Sequence, residues 1–209
     1  MKILVTAGAT REPVDAVRFI SNVSTGATGS ALAAALTACG HHVTLLHGIG
    51  SVHAPATVAD TEIFSSAADL FERLDRRLGP GQFDAVIMTA AVADYRPTAS
   101  ADGKLPSTAP EFLLPLVRNP KLLPRIKSLS PNPLTVVGFK LTVGADAPAR
   151  TAAVAALFAA GGVDLVVHND LAEIPVDRAA HPFHLYRDPT TAPRALLGAP
   201  ALAAALFPR

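Results

Sequence analysis

The sequence predicts an α/β protein built on one doubly wound parallel sheet with helices on both faces. Short apolar runs alternate along the chain with longer stretches rich in alanine and leucine. Most short runs are apolar at successive positions, as in Leu165-Val166-Val167. Strands covered on both faces have this pattern, which is typical of parallel sheets. Because strands and helices alternate, we expect right-handed crossovers and a Rossmann-like architecture with a late β extension.

The individual elements follow from the same patterns. Strands are predicted at residues 2–6, 42–47, 61–64, 85–89, 135–139 and 163–168. Helices are predicted at residues 26–39, 67–78, 120–129 and 147–160. Gly40 ends the first helix, because glycine readily adopts the left-handed conformation that follows many helices. Residues 183–186 are expected to form a late strand, and residues 201–207 a terminal helix.

Length, charge and cysteine content narrow the class of protein. A chain of 209 residues, 50% of them hydrophobic, is expected to form one domain over residues 1–209. Its 18 Lys and Arg residues nearly cancel 17 Asp and Glu, and a net charge of +1 argues against nucleic-acid binding. Cys39 is the only cysteine, which excludes an internal disulfide. No apolar run reaches the roughly 18 residues of a membrane span, so we expect a cytoplasmic protein without membrane contact.

Two segments interrupt the alternation of strands and helices. Residues 90–111 contain three prolines and Gly103 among small polar residues. A segment of this length without regular structure predicts a flexible substrate loop. Residues 175–209 contain further prolines and predict an irregular C-terminal extension.

Polar residues follow the first strand, where ligands bind in open α/β sheets. Residues 8–10 (Gly-Ala-Thr) lack the Gly-x-Gly-x-x-Gly spacing of dinucleotide-binding loops, which disfavours a Rossmann oxidoreductase. Residues 24–26 (Ser-Thr-Gly) precede the first helix, and backbone amides at a helix N-terminus can hold phosphate. A capped helix packed by small residues explains this segment equally well.

Two later strands also end in polar residues. Asp94 and Arg96 follow Ala90 and Ala91 after the predicted strand at residues 85–89. Asp94 could accept a hydrogen bond from a ribose and Arg96 could supply a cation, or the two could form an ordinary surface ion pair. Residues 168–170 (His-Asn-Asp) follow the last predicted parallel strand, where Asn and Asp are also common in plain turns. The sequence therefore places four polar segments at one edge of the sheet.

Together these segments resemble the phosphopantothenate–cysteine ligase family. The resemblance rests on residues 6–13 (TAGATREP), 17–22 (VRFISN) with 24–26 (STG), and 90–97 (AAVADYRP), with weaker matches at 119–120, 137–139 and 169–170. It implies a ligase of coenzyme A synthesis that joins 4′-phosphopantothenate and cysteine through an acyl-nucleotidyl intermediate. It further implies CTP rather than ATP as the favoured co-substrate, Mg²⁺, and pyrophosphate as a product. Because the chain starts at its first strand, we expect the free-standing form, without flavin.

The resemblance also implies roles for single residues. Asn22 would hold the acyl intermediate when cysteine attacks, with Arg18 in support, and Lys104 on the loop would close on the reacting groups. Ala90 and Ala91 would contact phosphopantothenate through their backbone. The nucleotide would be bound by Gly8, Ala9, Thr10, Ser24, Thr25, Gly26, Asp94, Phe139 and Lys140.

The chain departs from the family pattern chiefly in its cations. The lysine-rich run usual after the position of Lys104 is absent, and the helix at 147–160 has no lysine to face a triphosphate; Arg150 is its nearest cation. Lys140 is our candidate substitute. A non-catalytic protein that binds nucleotide or phosphopantothenate therefore remains an alternative, as does a scaffold domain.

The resemblance gives expectations for assembly as well. Family members are commonly dimers, and the strand at residues 183–186 is our candidate dimer element. A separate flavin decarboxylase would act next on the product. His168 either lines the pocket or packs in the core.

Overall fold

The computed structural model describes residues 1–208 and contains twelve strands and four α-helices in that range. The strands are β1 Lys2–Ala7, β2 Arg11–Pro13, β3 Phe19–Ser21, β4 His42–Gly48, β5 Asp60–Phe64, β6 Ala85–Met88, β7 Tyr95–Pro97, β8 Leu116–Arg118, β9 Thr135–Thr142, β10 Leu165–Asp170, β11 Pro182–Tyr186 and β12 Arg194–Leu197. The helices are α1 Ala27–Ala38, α2 Ala67–Leu78, α3 Ala147–Ala159 and α4 Gly198–Leu206. Short 3₁₀ helices lie at Leu123–Leu129, Leu171–Glu173 and Arg178–Ala180.

One eight-stranded sheet forms the centre of the molecule, in the order β12-β11-β10-β9-β6-β1-β4-β5. The strands from β10 to β5 run parallel, and β11 and β12 add antiparallel strands at one edge. The predicted doubly wound α/β class with a late β extension is confirmed. The chain reverses its direction of progress across the sheet between β1 and β6, and ligands bind at such a switch point.

Apolar packing on both faces explains why the strands are continuously hydrophobic. Along β1, Ile3 and Val5 join the core beneath α1 and α4, whereas Leu4 joins the core beneath α2. All three side chains are fully buried. Burying each such side chain contributes about 1.5–3 kcal/mol, so the alternation within a single strand stabilises both layers at once.

The structure corrects three of the predicted elements. The segment 120–129 forms a 3₁₀ helix rather than an α-helix, and Pro124 lies in its first turn, where it lacks an amide hydrogen to donate. Two antiparallel ribbons, β2–β3 and β7–β8, were not predicted, because strands of three residues are too short to show a periodicity. The segment 90–111, predicted as an irregular loop, contains strand β7, which pairs with β8 beyond the end of the segment.

The C-terminal extension is part of the core, not an irregular appendage. The predicted late strand is confirmed as β11, which pairs with β10 on one side and β12 on the other. Because both edges of β11 are hydrogen-bonded within the chain, this strand has no free edge to offer a second copy. The terminal helix α4 packs on α1, with Leu202 and Leu206 buried. Within residues 1–208, no helix combines the length and the apolar character that a membrane crossing requires.

Candidate active site

A cavity of about 310 Å³ lies at the carboxyl ends of β6, β9 and β10. The start of α1 forms one wall, Phe139 and Leu141 of β9 form another, and Asn169 lies at the end of β10. Its remaining lining residues are Val23, Ser24, Thr25, Gly26, Ala27, Thr28, Gly29, Thr89, Ala90, Ala91, Leu171, Ile174 and Arg178. The structure therefore brings the predicted 24–26 segment together with Ala90, Ala91 and Phe139.

Small residues bring the start of α1 against the sheet. Gly26 caps the helix with φ of 77°, and a Cβ there would lie 3.0 Å from the backbone nitrogen of Gly8. No side chain caps this helix end, and the nearest approach is a 3.4 Å contact from the Ala27 amide to Thr25 Oγ1. Ala27, Thr28 and Gly29 of the first turn line the cavity, and of their amides only that of Ala27 has a side-chain acceptor, at this long distance, which suits an anionic ligand.

The segment after β1 supports the cavity wall from behind. Gly8 accepts a hydrogen bond from the Ala91 amide at 2.8 Å, and the Thr10 amide donates to the Ala91 carbonyl at 3.2 Å. The Thr10 hydroxyl accepts from the Ala93 amide at 3.0 Å. Ala9 and Thr10 are buried. These hydrogen bonds fix the backbone around Ala90 and Ala91, where the family resemblance implied substrate contacts.

Asn22 lies beside the same wall. Its Nδ2 donates to the Val92 carbonyl over 3.3 Å, and the preceding Ser21 hydroxyl donates to the Thr10 carbonyl at 2.8 Å. The long amide contact is a weak hydrogen bond. The amide of Asn22 is therefore positioned next to residues 90–92 and is available for exchange with a ligand.

A second, smaller cavity of about 210 Å³ adjoins the first, and Ala90 and Phe139 line both. Asp94 lines the smaller cavity and forms an ion pair with Lys121. Asn119 donates to the Ala93 carbonyl at 2.9 Å. The sequence predicted Asp94 as a nucleotide contact and matched the family weakly at residues 119–120, but nothing in it pointed to Lys121.

Arg18 contacts the loop that carries Lys104, at the far end of the β2–β3 ribbon. Arg18 pairs with Asp15 and also donates to the carbonyl of Leu105 at 3.0 Å. The Leu105 amide donates to Asp15 Oδ2 at 3.0 Å. Lys104, next to this clasp, is exposed and lines neither cavity.

Asp15 organises this clasp and was missed in the sequence. The Arg18 guanidinium and the Leu105 amide hold the pKa of the Asp15 carboxyl well below its usual range, and the same contact raises the pKa of Arg18. The carboxylate thus stays charged and ties the loop between β7 and β8 to the β2–β3 ribbon.

Lys140, predicted as the substitute cation for the triphosphate, does not line the larger cavity, and neither does Arg150 of α3. Successive strand residues point to opposite faces, so Lys140 lies on the face opposite Phe139 and Leu141, which line the larger cavity. Arg150 pairs with Glu173 and donates to the Ala145 carbonyl at 2.7 Å.

Asp170 and His168 have structural roles. The Asp170 carboxylate accepts hydrogen bonds from the Thr142 hydroxyl and the amides of Gly144, Ala145 and Ala172, which lower its pKa far below the usual value. His168 is fully buried with Nε2 2.8 Å from the Thr142 hydroxyl, and burial lowers its pKa. Of the two alternatives for His168, packing in the core is the one observed.

Comparison with known proteins identifies the family. The model of the family described as "DNA/pantothenate metabolism flavoprotein C-terminal domain" matches residues 1–191. The chain belongs to this flavoprotein C-terminal domain family. A relative from Thermococcus kodakarensis, "Coenzyme A biosynthesis bifunctional protein CoaBC", is 36% identical over 170 residues, which cover 81% of this chain and 41% of the relative.

Solved structures agree with this family. The DNA/pantothenate metabolism flavoprotein from Streptococcus pneumoniae superposes with a TM-score of 0.84 at 24% identity, covering 99% of this chain and 96% of the other. The C-terminal domain of a CoaBC protein superposes with a TM-score of 0.76 at 26% identity, covering 98% and 91%. The chain thus spans about two fifths of the length of the Thermococcus relative, but nearly all of the isolated C-terminal domain.

The side chains that the structure describes near the site do not form a metal-binding group. Among residues 1–208, no three His, Cys, Asp or Glu side chains lie together in a group that could hold a metal. Asp170 is saturated by its own donors and Asp94 is paired with Lys121. The residues present therefore do not fit a metal bound by protein ligands alone.

Proposed function

We propose that the chain is a phosphopantothenate–cysteine ligase that uses a nucleoside triphosphate, CTP in preference to ATP. One observation carries this proposal: the start of α1 and the half-buried residues Ala90 and Ala91 line one cavity on the switch-point edge of the sheet, and Asn22 lies beside it, hydrogen-bonded to the Val92 carbonyl. The coenzyme A biosynthesis relative supports the substrate class. Polar groups of these types suit an anionic activated acid better than a redox cofactor.

In the first step, the carboxylate of 4′-phosphopantothenate would attack the α-phosphate. A bond from oxygen to phosphorus forms, the bond to pyrophosphate breaks, and pyrophosphate leaves. A carboxylate is already ionised near pH 7, so no base is required. The difficulty is the approach of two anions, which the α1 amides and Thr25 would ease by holding the phosphates.

The arrangement of cavities would bring the two substrates together. We place the triphosphate at residues 24–26 and the nucleoside past Phe139 towards Asp94. Phosphopantothenate would lie along Ala90 and Ala91, with its carboxylate between the two cavities. Mg²⁺ would enter on the triphosphate, since such ions usually keep phosphate ligands.

In the second step, the cysteine amine would attack the acyl carbon. The new carbon–nitrogen bond displaces the nucleoside monophosphate, and the amine loses a proton. The Asn22 amide would exchange its long bond to Val92 for the acyl oxygen, where negative charge develops. We propose that Lys104 reaches the reacting groups when the loop between β7 and β8 moves, with Arg18 setting its starting position.

The test is pyrophosphate release by purified protein with Mg²⁺, 4′-phosphopantothenate and cysteine, with CTP and ATP in parallel. We expect release with CTP, a strong loss in Lys104→Gln, and an accumulating acyl-nucleotidyl species in Asn22→Asp. Nucleotide binding without release under any condition would reject the ligase and support a non-catalytic binder. The scarcity of cations around the cavity is the observation that favours this second candidate.

We also propose a homodimer, formed through the ribbons instead of the late strand. Exposed hydrophobic side chains gather on the two ribbons and the loop between β7 and β8: Phe19, Tyr95, Phe112, Leu113, Leu116 and Val117. Exposed apolar groups of this kind mark association sites. Sedimentation of the wild type and of Leu116→Glu would test this, with the variant expected as a monomer.

A further inference from the structure

We propose that Arg178 binds the phosphate chain of the nucleoside triphosphate in the larger cavity. This inference rests on the proposed function and adds a cation that the sequence did not indicate. Arg178 belongs to a three-residue 3₁₀ turn between β10 and β11, and its side chain lines the cavity together with residues 24–29 at the start of α1.

Charge balance in the cavity points to this residue. A triphosphate carries several negative charges, and helix amides alone offset only a part of them. Among the cavity-lining residues that the structure describes, Arg178 is the only charged one. Lys140 lies on the opposite sheet face and Arg150 is occupied by Glu173.

The guanidinium of Arg178 is available. The structure contains no ion pair or hydrogen bond from its side chain to any of residues 1–208. It also borders the small pocket beside Ala27, Thr28 and Ala31, so it lies along the first turn of α1. An arginine without a protein partner next to open helix amides can form a two-pronged contact with phosphate oxygens.

The backbone beneath Arg178 is held firmly. Asp177 caps the turn by accepting from the Ala179 amide at 2.9 Å, and the Gly198 amide donates to the His181 carbonyl at 2.8 Å. The buried His181 ring lies 3.3 Å from Nδ2 of Asn169, another cavity residue. Because this main chain is already fixed, only the side chain of Arg178 has to be ordered on binding, which limits the entropic cost.

Binding of a phosphate series separates a phosphate contact from a structural role. We would titrate the protein with CTP, CDP, CMP and cytidine by calorimetry, in the wild type, Arg178→Ala and Arg178→Lys. We expect Arg178→Ala to weaken CTP binding about tenfold, the size of one lost charge-assisted hydrogen bond. The loss should shrink along the series and vanish for cytidine, and lysine should restore part of it.

A matched control is Arg194→Ala, which removes an exposed arginine of β12 that lines neither cavity. It should bind all four compounds as the wild type does. Equal loss for CTP and cytidine, or no loss at all in Arg178→Ala, would overturn the inference while leaving the ligase proposal in place. If the wild type binds CTP without releasing pyrophosphate, the ligase fails and the Arg178 contact still stands on the binding series. If the wild type binds no nucleotide, both fail.

Discussion

Replacement of Gly29 by alanine tests how closely α1 must approach the sheet. A Cβ at position 29 would lie 2.3 Å from Thr89 Oγ1 and 2.7 Å from the Cβ of Ala7, both far inside normal contact. Ala7 is fully buried on central strand β1 and moves only with the strand. The Thr89 hydroxyl donates to the Thr6 carbonyl, so displacing it also breaks a hydrogen bond.

The opposing effects can be compared in size. Overpacking of this kind costs about 1–3 kcal/mol, and the lost hydroxyl bond about 1 kcal/mol. Alanine gains about 1 kcal/mol over glycine within a helix, which offsets the second cost. We therefore expect Gly29→Ala to destabilise the fold by about 1–3 kcal/mol, which lowers Tm by roughly 2–12 °C in a chain of this size.

Calorimetric melting of Gly29→Ala measures this directly. Gly103→Ala is the control, because a Cβ at that position meets nothing within 4 Å. The control should melt within a degree or two of the wild type. A Gly29→Ala protein as stable as the wild type would refute the packing argument, because helix preference would then exceed the cost of the contacts with Thr89 and Ala7. A destabilised variant should also bind CTP less well, since Gly29 lines the larger cavity.

Two further predictions concern the clasp and the buried histidines. Asp15→Asn removes the charge that holds Arg18 and Leu105, so limited proteolysis should cut the loop between β7 and β8 faster than in the wild type. Asp102→Asn, which changes an exposed carboxylate of the same loop, is the control and should be cut at the wild-type rate. Equal cleavage rates for all three proteins would contradict the role of Asp15. Burial lowers the pKa of His168 below its usual 6.5, so protons bind the unfolded chain more readily there. The free energy of unfolding in urea should therefore be unaffected by His168 above about pH 6.5 and should fall as the pH drops below 6.5. His168→Gln should reduce this fall, and an unchanged pH profile would argue against it.

Predictions from sequence succeeded where local pattern and tertiary packing agree. The apolar run at residues 3–5 indicates a strand covered on both faces, and its side chains indeed divide between two cores. The segment at residues 24–26 was predicted to precede the first helix. In the structure it does so, and it lines the larger cavity. In both cases, neighbouring residues carry enough information to fix the element.

Prediction failed where long-range contacts decide the conformation. Each strand of the ribbons β2–β3 and β7–β8 is only three residues long, and its pairing depends on a partner across a loop. Asp15 lies between the two matching segments 6–13 and 17–22, and its partner Leu105 is 90 positions away. Local sequence patterns cannot predict a contact between residues so far apart in the chain.

The cation of the larger cavity follows the same logic. A triphosphate requires positive charge at a place in space, and any element that reaches the cavity rim can supply it. Arg178 reaches that rim from a proline-rich segment whose position is fixed by His181 and Gly198, not by its own sequence pattern. The absence of lysine from α3 therefore does not by itself predict loss of nucleotide binding, because the charge can come from a different element of the same fold.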